Sequence, residues 1–164
     1  MTLQRYDSDE YFIESQTFDL STIAAHMQQW YGEQARQKGL SLAIDTHGCQ
    51  AVGDPAKIEQ VIDNLISNAI KYTNQGMVEL SYTHKGDGIQ VKVKDTGIGI
   101  SKEHLQRLFH RFYRTDKARS RDKGGTGLGL AIVDSILKAH GTNIEVESTA
   151  GAGSVFWFTL AVPE

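Results

Sequence analysis

The chain has a single cysteine, Cys49, so an intrachain disulfide is excluded and a reducing compartment suits it. Beside Gly48, that thiol reads as a small apolar filler rather than a nucleophile. Long hydrophobic runs are missing too. No stretch approaches the roughly 18 apolar residues of a membrane-spanning helix, and the N-terminus lacks the apolar region of a signal peptide. A soluble, cytoplasmic piece is expected, whose parent protein is free to be anchored in a membrane. An excess of either charge is lacking as well: the net charge of -3 gives no overall pull toward nucleic acid or a membrane surface. Internal repeats and low-complexity tracts are absent. What remains is ordinary for a globular protein: 164 residues, 40% hydrophobic and 23% charged, enough for one domain with a sizeable core.

Taken in order, residues 1–10 are polar and acidic, without periodicity, and form a frayed arm or the tail of something upstream. Tyr11 through Phe18 is strand-like. Asp19 or Ser21 then caps an amphipathic helix carrying Ile23, Ala24, Met27, Trp30 and Tyr31, which stops near Gly39. Leu40 to Ile44 alternates as a half-buried strand. Asp54-Pro55 supplies an N-cap and a first-turn proline for a helix running to Tyr72. Ile58, Val61, Ile62, Leu65, Ile66, Ala69 and Ile70 make its core stripe, while Gln60, Asn64, Asn68 and Lys71 form a polar stripe on another face. A solvated face would also look like this, but asparagine is a poor helix former, and two of them one turn apart need a further reason.

Met77–His84 and Ile89–Asp95 are strands joined by the turn Lys85-Gly86-Asp87-Gly88. Ser101 caps a short helix through His110. The loop from Tyr113 to Gly125 has no apolar periodicity and is expected to be mobile. It concentrates base, with Arg111, Arg114, Lys117, Arg119, Arg121 and Lys123 against only Asp116 and Asp122. Leu128–Ala139 is the last helix, ended by Gly141, and Asn143–Thr149 and Val155–Val162 are the last strands. The fold class expected is α+β: a two-layer α/β sandwich, its mixed, largely antiparallel sheet carrying helices on one face, with the long loop as a lid.

Two glycine clusters flank that loop. Asp95-Thr96-Gly97-Ile98-Gly99-Ile100 leaves a strand, which suits backbone that must pass close to a flat ligand. Gly124-Gly125-Thr126-Gly127-Leu128-Gly129-Leu130 leads into a helix, where exposed N–H groups and the positive end of the helix dipole favour phosphate. The dinucleotide-binding fingerprint is rejected, because this cluster follows a polar loop rather than a strand.

Together these motifs resemble the ATP-binding catalytic domain of bacterial sensor histidine kinases, in the superfamily that includes DNA gyrase, the large heat-shock ATPases and the mismatch-repair ATPase. Asn64 to Thr73 resembles the N box and Asp95 to Gly99 the first glycine box. Phe109 and Phe112 resemble the F box, Gly125 to Leu130 the second glycine box, and Gly151-Ala152-Gly153-Ser154 with Phe156 the last. The resemblance implies ATP and Mg²⁺ as cofactors, with Asp95 accepting from the adenine amino group and Tyr72 packing on the base. Gly97, Gly99, Ile100 and Phe112 would line that pocket. Asn68 would hold Mg²⁺ with Asn64 nearby, and Lys71 would contact phosphate. Gly125, Thr126, Gly127, Leu128, Gly129 and Leu130 would wrap the phosphates. Arg114 or Lys117 would neutralise the γ-phosphate, with Asn64, Lys71 and Arg114 the catalytic set. The domain organisation implied is a linker remnant and first strand over 1–17, then the catalytic domain over 18–164.

In the resembled kinases the phosphoryl acceptor is a histidine followed by an acidic residue, on a separate dimerisation domain. The six histidines here, His26, His47, His84, His104, His110 and His140, are followed by Met, Gly, Lys, Leu, Arg and Gly, so the acceptor is missing. The expected partners are ATP/ADP, that histidine domain and a response-regulator receiver domain. The isolated domain is expected to be monomeric and its parent a homodimer. Three other classes compete: a gyrase-type hydrolase, a serine kinase that inhibits sigma factors, and a degenerate nucleotide-binding module. Gyrase-type relatives carry a water-activating glutamate where Asn64 stands. An amide cannot act as a general base, and Glu59 lies on a different face of the helix.

Overall fold

A computed structural model describes residues 12–101, 103 and 126–163, with 126–129 described by backbone alone. The arm at 1–10, the expected helix to His110, Phe109, Phe112, the lid with Arg114 and Lys117, and Gly125 lie outside the described residues. The described elements run β1 (Gln16–Asp19), α1 (Leu20–Lys38), β2 (Leu40–Ile44), β3 (Gln50–Gly53), α2 (Pro55–Lys71), β4 (Gly76–Lys85), β5 (Gly88–Asp95), α3 (Thr126–Ala139), β6 (Glu145–Thr149) and β7 (Gly153–Ala161).

One seven-stranded sheet has the order β1-β3-β7-β5-β4-β2, with β6 also paired to β7. Every pairing is antiparallel except that of β2 with β4, whose parallel ladder runs from Leu40↔Gly76 to Ile44↔Leu80. Parallel neighbours need a long crossover, and the stretch containing β3 and α2 supplies it. The expected two-layer α+β sandwich is therefore what the chain forms.

Local chemistry sets the helix ends. Asp19 is the N-cap of α1: its carboxylate accepts from the Ser21 N–H at 2.9 Å and from the Cys49 N–H at 3.0 Å, which decides between Asp19 and Ser21. Gly39, at φ +79°, closes α1 in the left-handed conformation that glycine adopts cheaply. Asp54 caps α2 by accepting from the Lys57 N–H, with Pro55 in the first turn. The whole apolar stripe of α2 is buried, packed with Val133, Ile136 and Leu137 of α3 and the inward residues Val78, Leu80, Val91, Val93 and Phe158 of the sheet. Each such side chain contributes roughly 1.5–3 kcal/mol on leaving water.

Several elements differ from the sequence reading. The first strand begins only at Gln16, because its ladder to β3 ends at Gln16↔Gly53, where the partner chain turns into α2. Phe12 stands 76% exposed before it. The strand β3 itself was not foreseen: four residues ending in glycine carry little alternation. The sixth strand starts at Glu145 rather than Asn143, since Thr142 is held by the Leu137 carbonyl at 2.9 Å in the closure of α3. Among the described residues no helix is long and apolar enough to cross a membrane.

Candidate functional site

The period-2 alternation of β5 buries Ile89, Val91 and Val93 and carries the same face on to Asp95, which ends the strand 9% exposed. A carboxylate thereby sits where the next core residue would stand. Its Oδ1 accepts from the Gly97 N–H at 2.8 Å. Burial pushes the Asp95 carboxyl above the usual carboxylate range, opposed by the backbone N–H groups of Gly97 and Ser154. A buried carboxylate at a strand end, with capacity left over, is a receptor for a donor.

The end of α2 comes to meet it. Lys38 of α1 donates to the Ile70 carbonyl at 2.5 Å and the Lys71 carbonyl at 3.2 Å, fixing that helix end. Beyond it the Ile98 N–H donates to the Tyr72 carbonyl at 3.3 Å, which ties α2 to the glycine turn. Gly97 lies so close that an added side chain would collide with the Tyr72 carbonyl and come within 2.7 Å of Thr73 Oγ1 and 3.1 Å of Asp95 Oδ1. Only glycine fits between those oxygens. Thr73 is 0% exposed, and its hydroxyl has no hydrogen-bond partner among the described residues. Tyr72 is 37% exposed, with the Lys71 ammonium 5.5 Å from its ring centroid. On the polar stripe Asn64 and Asn68 are half-buried, whereas Gln60 and Lys71 are exposed. The two amides thus line an edge of the packed layer rather than a fully solvated face.

The glycine turn is pinned to the end of β6. Gly99 adopts φ +74°, and a side chain there would strike the Thr149 carbonyl. The Gly151 N–H donates to the Ile98 carbonyl at 2.6 Å, and the Ile100 N–H to Ser148 Oγ at 2.7 Å. Ile100 is therefore held by its backbone and is half-buried. The last helix starts at Thr126, two residues before the expected Leu128, so Gly127, Leu128 and Gly129 lie within its first turn. First-turn N–H groups have no intrahelical partner, which is what an anion requires. The side chain of Leu130, at 2% exposed, is part of the core. Arg114, Lys117, Phe112 and Gly125 are outside the described residues.

A depression of 340 Å³ at the ends of β5, β6 and β7 includes Asp95, Lys94, Glu147 and Ser154 but no residue of α2. It shares Asp95 with the meeting point of Asp95, Gly97 and Tyr72 but includes neither Gly97 nor Tyr72. Sequence reasoning passed over Thr73 as a site residue, although it follows Tyr72 directly, because nothing local shows that its hydroxyl is buried.

A two-layer domain whose amide-bearing helix meets an Asp-x-Gly turn, with a second glycine cluster opening a helix, is of the ATP-binding class. The model of the family described as histidine kinase-, DNA gyrase B- and HSP90-like ATPase matches residues 53–164, and the chain belongs to that family. It is 38% identical over 164 residues to the sensor-like histidine kinase SenX3 of Mycolicibacterium smegmatis, covering 99% of this chain and 42% of that protein. The chain thus spans less than half of that relative's length. Among solved structures it is similar to full-length ShkA in complex with AMPPNP, with TM-score 0.75, 27% identity, and coverage of 93% of this chain and 32% of that one. It also matches the catalytic domain of the histidine kinase ThkA, with TM-score 0.72, 27% identity, and coverage of 92% and 97%. The chain is an ATP-binding catalytic domain of the sensor histidine kinase type.

Proposed function

We propose that this domain binds Mg-ATP and donates the γ-phosphoryl group to a histidine on a separate dimerisation and phosphoacceptor domain, from which a response regulator is served. The observation that carries this reading is the convergence of Asp95, Gly97, Tyr72 and the unpartnered Thr73 hydroxyl at one point between β5 and α2. These residues fit an adenine: a buried acceptor for an amino group, a turn without side chains, and an aromatic ring at the rim. ATP bound there supplies the phosphoryl group, and Mg²⁺ its charge neutralisation. Asn68 and Asn64 would hold the cation through amide oxygens, as a hard ion shared with phosphate allows. Among the described residues no group of three or more His, Cys, Asp or Glu offers an alternative cage. Lys71 would meet phosphate, as would the first-turn N–H groups of Gly127, Leu128 and Gly129. Arg114 or Lys117 would approach the γ-phosphate, and residues 18–164 would form the catalytic domain after a linker at 1–17.

Hydrolysis is the competing reading, and one contact weighs against it. Glu59, the nearest glutamate before Asn64, has its carboxylate bonded to His26 of α1 at 2.6 Å, so it is engaged across the α1–α2 contact. A water-activating base is then lacking on the Asn64 side of the helix. Two other described histidines also have structural employment: His47 pairs with Asp45 at 2.7 Å. His140 accepts from the Asp54 N–H at 3.0 Å and donates to the Ile136 carbonyl at 2.9 Å.

Calorimetric titration with a non-hydrolysable ATP analogue, with and without Mg²⁺, tests the reading, with ADP release from ATP followed in parallel. Mg²⁺-dependent binding with almost no turnover is expected. Asn68→Ala should weaken that binding at least about tenfold, the loss of one good charge-assisted contact, with an unchanged melting temperature. Steady turnover would favour a hydrolase, and binding indifferent to Mg²⁺ and to Asn68 would remove the asparagine from the site.

A further inference from the structure

The threonine that follows Tyr72 has no job in the folded chain that its hydroxyl explains. Thr73 is 0% exposed, yet Oγ1 finds no partner among the described residues, the one buried side-chain polar atom there of which this is true. Buried hydroxyls are costly to leave unpaired, and an isosteric valine would fill the same volume without that cost. The hydroxyl is not in a remote corner of the core. It lies 2.7 Å from the point a Gly97 Cβ would occupy, and Asp95 Oδ1 lies 3.1 Å from the same point. A donor and an acceptor are thus set side by side against a stretch of backbone with no side chain.

The geometry points to Thr73 as a second base-recognition residue: its hydroxyl donates to the purine ring edge beside Asp95, directly or through one ordered water. This rests on the nucleotide-binding reading above and adds a residue to it. The chemistry is that of a matched pair. Adenine presents an amino donor flanked by ring nitrogens that accept; Asp95 takes the donor, and Thr73 supplies an O–H for an acceptor. Its unsatisfied state without ligand follows directly, because the partner belongs to the ligand rather than to the protein.

Two properties must then move in opposite directions on Thr73→Val. Without nucleotide the valine protein melts at the same temperature as the parent or higher, since only an unpaired hydroxyl is removed. Its affinity for ADP, by calorimetry, falls roughly three- to tenfold, the worth of one hydrogen bond. Binding of Mg-tripolyphosphate, which has no base, is unchanged, measured by competition with a fluorescent nucleotide. Thr73→Ser, which keeps the hydroxyl, retains most of the ADP affinity. A lower melting temperature for the ligand-free valine protein would mean that the hydroxyl is already satisfied inside the fold, and would overturn the inference. So would ADP affinity equal to the parent's, or an equal loss for ADP and tripolyphosphate. Failure of the parent protein itself to bind ADP is a different result: it would bring down the nucleotide reading, and this inference with it.

Discussion

Asp95→Asn should separate what the residue does for the fold from what it does for a ligand. In the ligand-free protein burial is the largest influence on this carboxyl and pushes it above the usual carboxylate range, outweighing the N–H groups of Gly97 and Ser154. The ionised form is therefore less at home in the fold than in the unfolded chain. A raised carboxyl pKa contributes stability below the unfolded value and loses it as pH climbs through the folded value. At pH 7 the native aspartate is a liability, and the amide, which keeps an oxygen for the Gly97 N–H, removes it. The variant should melt at or above the parent temperature at pH 7. Its advantage should shrink on acidification, as the parent carboxyl takes up its proton. Adenine binding should move the other way. Losing a charge-assisted hydrogen bond costs about 1.5–3 kcal/mol, or roughly 10- to 150-fold in affinity, more if the new NH₂ faces the adenine amino group. Paired thermal melts over pH 4–8 with calorimetric ADP titrations test both halves. A variant less stable than the parent at pH 7, or a stability gap that ignores pH, would refute the claim that burial dominates. Unchanged ADP affinity would refute the role in recognition.

Two further substitutions probe the frame around the site. Gly99→Ala should cost about 2–4 kcal/mol in urea unfolding, because left-handed strain of about 1–2 kcal/mol adds to a collision with the Thr149 carbonyl. Gly39→Ala has nearly the same φ but open space around it, so it should show the strain alone; equal losses would refute the steric part. Asp19→Ala should cost about 0.5–2 kcal/mol as a lost N-cap, and it should alter the acid limb of stability. The Cys49 and Ser21 N–H groups hold the Asp19 carboxyl below its ordinary range, so its contribution is present above pH 3.8 and fades as pH falls through the lower folded value. An acid limb identical in the two proteins would contradict that assignment.

How far the sequence discloses this site depends on the range of the physics involved. The cap at Asp54-Pro55 and the stripe from Ile58 to Ile70 were legible because a helix writes its instructions within a few residues. Asp95 was legible as a strand-terminal acid. Its burial was not, because that comes from the register Val78↔Asp95↔Ser154, which joins three strands. The burial of Thr73 is not legible for the same reason: Gly97, beside the bond from Ile98 to the Tyr72 carbonyl, passes so close that a Cβ there would lie 2.7 Å from its hydroxyl. The strand β3 escaped notice because four residues carry no usable period, and it owes its existence to pairing with β1. Helical geometry alone puts Glu59 off the Asn64 face. The fold adds a positive reason, a histidine on α1 that occupies its carboxylate. Local rules thus place each group on an element, and only packing tells whether that group is already spent. What packing leaves unspent, here the Thr73 hydroxyl and the remaining acceptor capacity of Asp95 beside a bare glycine, is where a ligand has something to gain.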